Sequence, residues 1–433
     1  MQQHRLGSLA GVLRWPTKIL LEQLLVEEHS TQILFQIFVI FTAAKLMGIV
    51  GVRFGVPAVI SEIVAGILIG PNLLNLVQIE EWTQALAGLG AIILLFDVGL
   101  DQKLSDLLKV GKTALAVANA GVVVPFFLGY GLMLLAGYGQ IESIFMGAAM
   151  VATSVGITAR VLQEMGVLKT VVATVILGAA VIDDILAMIM LAIISSLREG
   201  VDYVQIATVT GMAIGFTVFI LVVGERVVRR VTPRVQRFAG GDPMFSLALI
   251  ICLGLSLAAA KIKIAAIIGA FLAGLVFSEE ELTARLKPKI HALYEFLVPF
   301  FFVTMGMQMD LRVLARGDIL LLASIVTALA ILGKLGACGL AAFRLGGRQA
   351  IQVGMGMVPR GEVGIIVASI GLGMGTISDE IYGVVIIMVL VTTLMAPPAL
   401  KVLFAKPSAP AGAAVPPPAK TEPEQSNPPS EIL

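Results

Sequence analysis

Two adjacent aspartates, Asp183 and Asp184, stand in the middle of the apolar stretch GAAVIDDILAMIM, residues 178–190. Three further charges lie deep in other apolar runs: Lys334 in ILGKLGACGL, and Arg360 with Glu362 in GMVPRGEVGII. A charge at the centre of a hydrocarbon layer costs at least about 2.5–3.5 kcal/mol, so it has to be paired or wetted and is by default functional. Neighbouring helical residues point about 100° apart, so the two aspartates cannot face one partner. One can face a cation on another helix, with Lys334 the natural candidate, while the other faces a cavity. Close, partly buried carboxylates resist ionising together, and a lysine or a bound cation opposes that resistance. The result is a group that holds a proton or a metal ion but not both, which is all that an exchanger needs. Hard alkali cations prefer oxygen ligands. Asp184, Thr153, Ser154 and backbone carbonyls freed nearby would supply them. An Asp–Lys pair that merely orients helices would leave the second aspartate unexplained.

The elements that must position these groups follow from composition. The chain has 433 residues, 58% hydrophobic and 14% charged, against about a quarter charged in soluble domains. Apolar runs long enough to cross a bilayer recur from residue 32 to residue 404. The class is an all-α polytopic membrane protein. Thirteen spans are expected, near 32–52, 57–75, 84–100, 112–137, 141–163, 170–197, 203–225, 244–260, 263–278, 291–309, 318–343, 349–373 and 380–404. A net charge of +1 gives no sign of a nucleic-acid partner. Cys252 and Cys338 read as separate buried thiols, and the three histidines lack metal-ligand spacing.

Two spans are interrupted. One carries Thr153, Ser154, Val155 and Gly156 at its middle, the other Gly354, Gly356, Pro359, Arg360, Gly361 and Glu362. Such breaks are tolerated at membrane depth only where protein or a water-filled cavity surrounds them. Each is the middle member of a helix triple, spans 4–6 and 11–13, and the two triples run in inverted directions. Corresponding broken helices in inverted halves point to a transport site near the bilayer midplane. Asp97 reads either as a residue of the ion path or as an interfacial one. Asn119 reads as a tie between the fourth span and the broken helices, beside the ion path, and Lys45 as a snorkelling lysine.

Residues 1–31 suggest an interfacial helix around PTKILLEQLLVEEH, and 405–433 a flexible Pro-rich tail. The loops on one side hold sixteen Lys and Arg, Arg160 counted among them, against five on the other. The basic side is the cytoplasmic one. This puts the C-terminal tail in the cytoplasm and the N-terminus outside.

At these residues the chain resembles the monovalent cation:proton antiporters of the second superfamily branch, close to NapA sodium/proton antiporters and the membrane part of Kef potassium-efflux proteins. The matching stretches are FGVPAVISEIVAGILIGP (54–71), LGAIILLFDVGLD (89–101), ATSVGITARVL (152–162), GAAVIDDI (178–185), FFFVTMGMQMDL (300–311), LGKLGACG (332–339) and GMVPRGEVGIIVA (356–368). The resemblance implies a NapA/NhaA-like fold in a homodimer. In it a dimer scaffold (about 32–100 and 244–309) and a mobile core (about 112–197 and 318–404) are joined by a linker helix (203–225). It implies that Asp184 carries the cation and the proton, that Asp183 pairs with Lys334, and that Glu362 and Arg360 serve core integrity or gating. The expected activity is electrogenic Na⁺/H⁺ exchange by an elevator motion in a bacterial inner membrane, with no cofactor and with K⁺/H⁺ exchange as the alternative. The expected cargo is Na⁺, or K⁺ or Li⁺, against H⁺. Two features depart from the family pattern. The tail shows no counterpart of the Kef nucleotide-binding domain, and Asp97 sits where many relatives carry an apolar residue. A sodium-coupled solute symporter, a channel and an intramembrane aspartyl protease fit less well, the last because both aspartates sit on one helix.

Overall fold

A computed structural model describes residues 15–54, 56–196, 203–235, 243–309 and 317–405. All regular structure among them is helical. The elements are α1 (Trp15–Arg53), α2 (Ala58–Ile69), α3 (Glu81–Leu100), α4 (Leu104–Leu135), α5 (Gln140–Ala149), α6 (Val155–Glu164), α7 (Val171–Ser196), α8 (Tyr203–Phe219), α9 (Glu225–Val235), α10 (Pro243–Lys261), α11 (Ala266–Val276), α12 (Glu280–Met307), α13 (Gly317–Ala341), α14 (Gly347–Gly356), α15 (Glu362–Gly373) and α16 (Asp379–Phe404). A π-helical turn, Ile220–Gly224, joins α8 to α9. Among the described residues, nine helices are long and apolar enough to cross a bilayer by themselves. α2 and α11, and the halves of the two broken helices, are shorter.

At the N-terminus α1 runs unbroken from Trp15 to Arg53, so the described part of the expected interfacial segment continues directly into the first span. The physical reason lies in the sequence. No Gly or Pro occurs between Pro16 and Gly48, so nothing interrupts the ladder of backbone hydrogen bonds. The expected tail, 405–433, lies outside the described residues except for Ala405.

The packing falls into two groups. In one, α3 packs on α11 and α12, α2 on α1 and α12, and α10 on α11. In the other, α4 packs on α5, α7 and α13, while α13 also packs on α14 and α16, and α15 on α5 and α16. Close backbone approach tightens the first group. A Cβ on Gly66 would come within 2.0 Å of the Val303 carbonyl oxygen, and one on Gly306 within 2.0 Å of that of Ile63. Only glycine allows α2 and α12 to cross at that distance. The groups meet chiefly where α6 lies against α2 and α3, and where α16 reaches α2. Helix direction assigns two ends to the molecule. The end holding Arg53, Lys103, Lys109, Lys169 and Arg344 is called the basic end, and its opposite the sparse end.

Candidate functional site

The site is built on two helix breaks that hold each other. α5 stops at Ala149 and α6 starts at Val155; α14 stops at Gly356 and α15 starts at Glu362. Interrupting a helix frees carbonyls at one terminus and N–H groups at the next, and these need partners inside a membrane. Much of that demand is met across the crossing. The Ser154 amide donates to the Pro359 carbonyl at 2.8 Å, the Thr158 hydroxyl to the Gly356 carbonyl at 2.7 Å, and the Thr153 hydroxyl to the Met357 carbonyl at 3.4 Å. On α16, Thr393 donates to the Arg360 carbonyl at 2.5 Å, and Thr392 accepts from the Arg360 amide at 3.3 Å. Gly361 allows the closest contact of the breaks. A Cβ there would lie 2.7 Å from Ser154 Oγ and 2.8 Å from Ser154 Cβ.

Asp183 and Asp184 leave α7 in different directions. Lys334 Nζ on α13 donates to Asp183 Oδ1 at 3.0 Å, and both side chains are wholly buried. Arg360 is fully buried as well. Its guanidinium donates to the carbonyls of Met357 and Val358 at 3.2 and 3.0 Å, and to that of Ala330 at 3.4 Å. A fixed cation thus caps the C-terminal end of α14, where the helix dipole places negative charge. Arg360 and Lys334 both act electrostatically on Asp183. Glu362 opens α15, and its side chain lies outside the described residues.

Asp184 lines a small cavity of about 30 Å³ with Thr153, Ser154, Gly156, Phe301 and Gly361, space for about one water. Five residues, Ala91, Ala265, Ile267, Phe301 and Val363, also line a larger cavity of about 760 Å³. That cavity runs past Gln84, Thr304, Gln308 and Tyr382. Gln84 starts α3, Gln308 follows α12 and Tyr382 starts α16, so the larger cavity opens at the sparse end.

Two sequence candidates lie elsewhere. Asn119 is exposed on α4 and spends its amide on the Leu115 carbonyl at 2.8 Å. It ties α4 to neither broken helix, because its helical register turns it outward. Asp97 is wholly buried on α3, but it accepts a hydrogen bond from Gln163 on α6 and lines neither cavity. Lys45 pairs with Glu295 at 2.5 Å on a partly exposed face.

Several residues escaped sequence reasoning. Thr392 and Thr393 complete the crossing, and the only signal was a polar pair inside VLVTTLMAPP. Arg160, counted with the basic loops, is folded inward with an 11% exposed side chain, beside Glu62 and Glu164.

Comparison with known proteins bears on the family and the fold. Residues 20–406 match the family described as "Sodium/hydrogen exchanger, transmembrane". The high-affinity Na⁺/H⁺ antiporter NhaS3 of Synechocystis sp. is 35% identical over 415 residues, 86% of this chain and 90% of that protein. The Na⁺/H⁺–K⁺ antiporter GerN of Bacillus cereus is 35% identical over 373 residues, 86% and 96% of the two chains. Among solved structures, the sodium proton antiporter MjNhaP1 of Methanocaldococcus jannaschii superposes with a TM-score of 0.62 at 16% identity. That match covers 87% of this chain and 98% of the other, and it speaks for the fold.

Proposed function

The chain belongs to the sodium/hydrogen exchanger family of monovalent cation:proton antiporters, and from that premise we propose how its residues carry out Na⁺/H⁺ exchange. Asp184 is the shared carrier of the cation and the proton. The observation that supports this most is the division of labour on α7. Asp183 is committed to Lys334, whereas Asp184 faces the cavity with the Thr153 and Ser154 oxygens of the break. A protonated Asp184 releases its proton when a cation binds there with these oxygens, and a returning proton displaces the cation.

The polypeptide crosses the membrane thirteen times, with α2, α11 and the two broken pairs counted as spans. The helices around α2, α3 and α10–α12 form a scaffold that dimerises through residues 32–100 and 244–309. The helices α4–α7 and α13–α16 form a core that moves as a body past that scaffold. The two-group packing and the larger cavity that runs from beside the Asp184 site to the sparse end support this elevator reading. The basic end faces the cytoplasm of a bacterial inner membrane, so the larger cavity faces outward. Protons enter from there, the core moves, and cytoplasmic cations displace them. Arg360, held on backbone carbonyls, keeps the crossing intact through that motion, together with Glu362. One proton exchanged for one cation at Asp184 moves no net charge, so the electrogenic reading takes a second proton per cycle, and the buried Lys334–Asp183 pair is a further titratable group in the core to hold it. K⁺/H⁺ exchange is a second reading, since GerN, as similar as NhaS3, is named for both ions.

The test is proton release from vesicles loaded with the purified protein, on adding Na⁺, Li⁺ or K⁺ in turn under a clamped potential. Na⁺-driven release that depends on potential is expected. Full activity in Asp184→Asn would overturn the assignment of the carrier, and indifference to potential would overturn the charge imbalance.

A further inference from the structure

The side of the molecule opposite the cavity holds a set of polar contacts that the ion site does not use. Arg160 on α6 donates to the Tyr294 hydroxyl on α12, and its guanidinium lies 4.7 Å from the centre of the Tyr294 ring. Glu62 on α2, with a 4% exposed side chain, stands 3.9 Å from Arg160, which Glu164 also grips at 2.7 Å. One turn further along α6, Gln163 donates to Asp97 on α3. Beside them, Gln102 donates to the Leu168 carbonyl at 2.6 Å and accepts from Thr174 on α7. Apart from the Arg160–Glu164 pair within α6, these contacts join α2, α12 and α3 with the loop that follows it to the group containing α6 and α7. All lie between the Asp184 cavity and the basic end.

We infer that Arg160 and Gln163 on α6, with Glu62, Asp97 and Tyr294, form the latch that closes the ion path toward the basic end, and that it must part for Asp184 to open there. Two features set this cluster apart from ordinary core packing. It joins surfaces that a sliding core has to separate. It matches a nearly buried cation to a buried anion across that surface, so closure is specific in register. Other charged groups surround it: Lys45 and Glu295 near Glu62, and Lys287, Asp101 and His291 near Asp97. Arg160 and Gln163 act as positioning residues, since neither lines the cavity at Asp184.

This inference rests on the alternating-access reading, and the experiment separates the two. In a Cys252→Ala, Cys338→Ala background, Val59→Cys reports access from the basic end, because Val59 is buried one turn from Glu62. Thr304→Cys reports the larger cavity. An impermeant thiol reagent is applied to each side of oriented vesicles, with and without Na⁺. In the parent, the two rates should change in opposite directions as ion and pH are varied. Arg160→Gln and Glu62→Gln should each raise labelling at position 59 about tenfold and lower it at position 304, the scale of an ordinary coupling between sites. The double variant should go no further than Arg160→Gln alone. Gln163→Ala, which removes no charge, should move both rates in the same directions, and guards against misfolding of the charge variants. Parent rates that fail to move oppositely would overturn both alternation and latch. Opposite movement in the parent with unshifted rates in all variants would overturn the latch alone.

Discussion

The same helices, α3 and α12, behave differently at their two ends. Toward the sparse end, α3 and α12 stand back from α15 and α16, and small or apolar residues such as Ala87, Gly88, Ile267 and Val363 line the gap. Toward the basic end they are joined to α6 through Asp97, Tyr294, Arg160 and Gln163. An apolar gap costs little to open or close, because few directional contacts are lost. A hydrogen-bonded charge cluster is stable in one register only, since parting it strands desolvated groups. The contrast divides the work between the ends, in that one admits ions and the other decides when they pass.

The largest effect expected on that contrast is at its centre. Asp184→Asn keeps the shape of the small cavity but removes the group that exchanges a proton for a cation, so cation-driven proton release from vesicles should vanish. The fold should stay intact by thermal unfolding, because the Asp183–Lys334 pair is untouched. Surviving exchange would move the carrier away from the crossing.

Lys334→Ala should come next. It takes the ammonium away from a wholly buried Asp183, a loss of about 3–5 kcal/mol of stability typical of breaking a buried pair. Unfolding monitored in detergent tests this. The double substitution Asp183→Leu with Lys334→Met should be less harmful than Lys334→Ala, because it strands no charge. A double variant as unstable as the single one would show that the pair is not what holds α7 to α13.

How much of this was legible in the sequence depends on the kind of signal. The helix breaks were readable because Pro359, Gly361, Thr153 and Ser154 violate helix chemistry inside apolar runs, and an apolar environment makes such violations conspicuous. Charges at mid-span were readable for the same reason. The continuity of α1 was hidden because the mixed charge and apolar character of 17–29 suits a surface helix as well as the extension of a span. Arg160 was hidden by its place six residues past the Ser154 break, where a basic residue counts toward loop charge; only its partners on α2 and α12, far away in sequence, reveal it as folded inward. Asn119 misled in the opposite sense, since a polar residue in a span can settle its needs on its own helix, as it does on Leu115.

Gly361→Ala probes the crossing by shape alone. Its Cβ would press on Ser154 at 2.7–2.8 Å, and overpacking of this sort costs about 1–3 kcal/mol. Because Ser154 lines the Asp184 cavity, exchange should fall together with stability, and cation affinity should weaken. Unaltered affinity would separate Ser154 from the ion.

The smallest effect sharpens the contrast at the basic half itself, where two acid–base pairs sit at different depths. Glu295 holds Lys45 at 2.5 Å with both side chains a third to a half exposed, whereas Glu62 faces Arg160 with a 4% exposed side chain. An exposed pair contributes about 1 kcal/mol or less, so Glu295→Gln should change the melting temperature little and leave the exchange rate alone. Glu62→Gln, which takes one anion from a nearly buried guanidinium, should cost about 1–3 kcal/mol and should alter exchange as well. Both are measured on the same preparation, by thermal unfolding and by Na⁺-driven proton release. Equal effects would mean that depth does not separate the pairs, and the charge cluster at α6 would lose its claim to a special place among the contacts of this half.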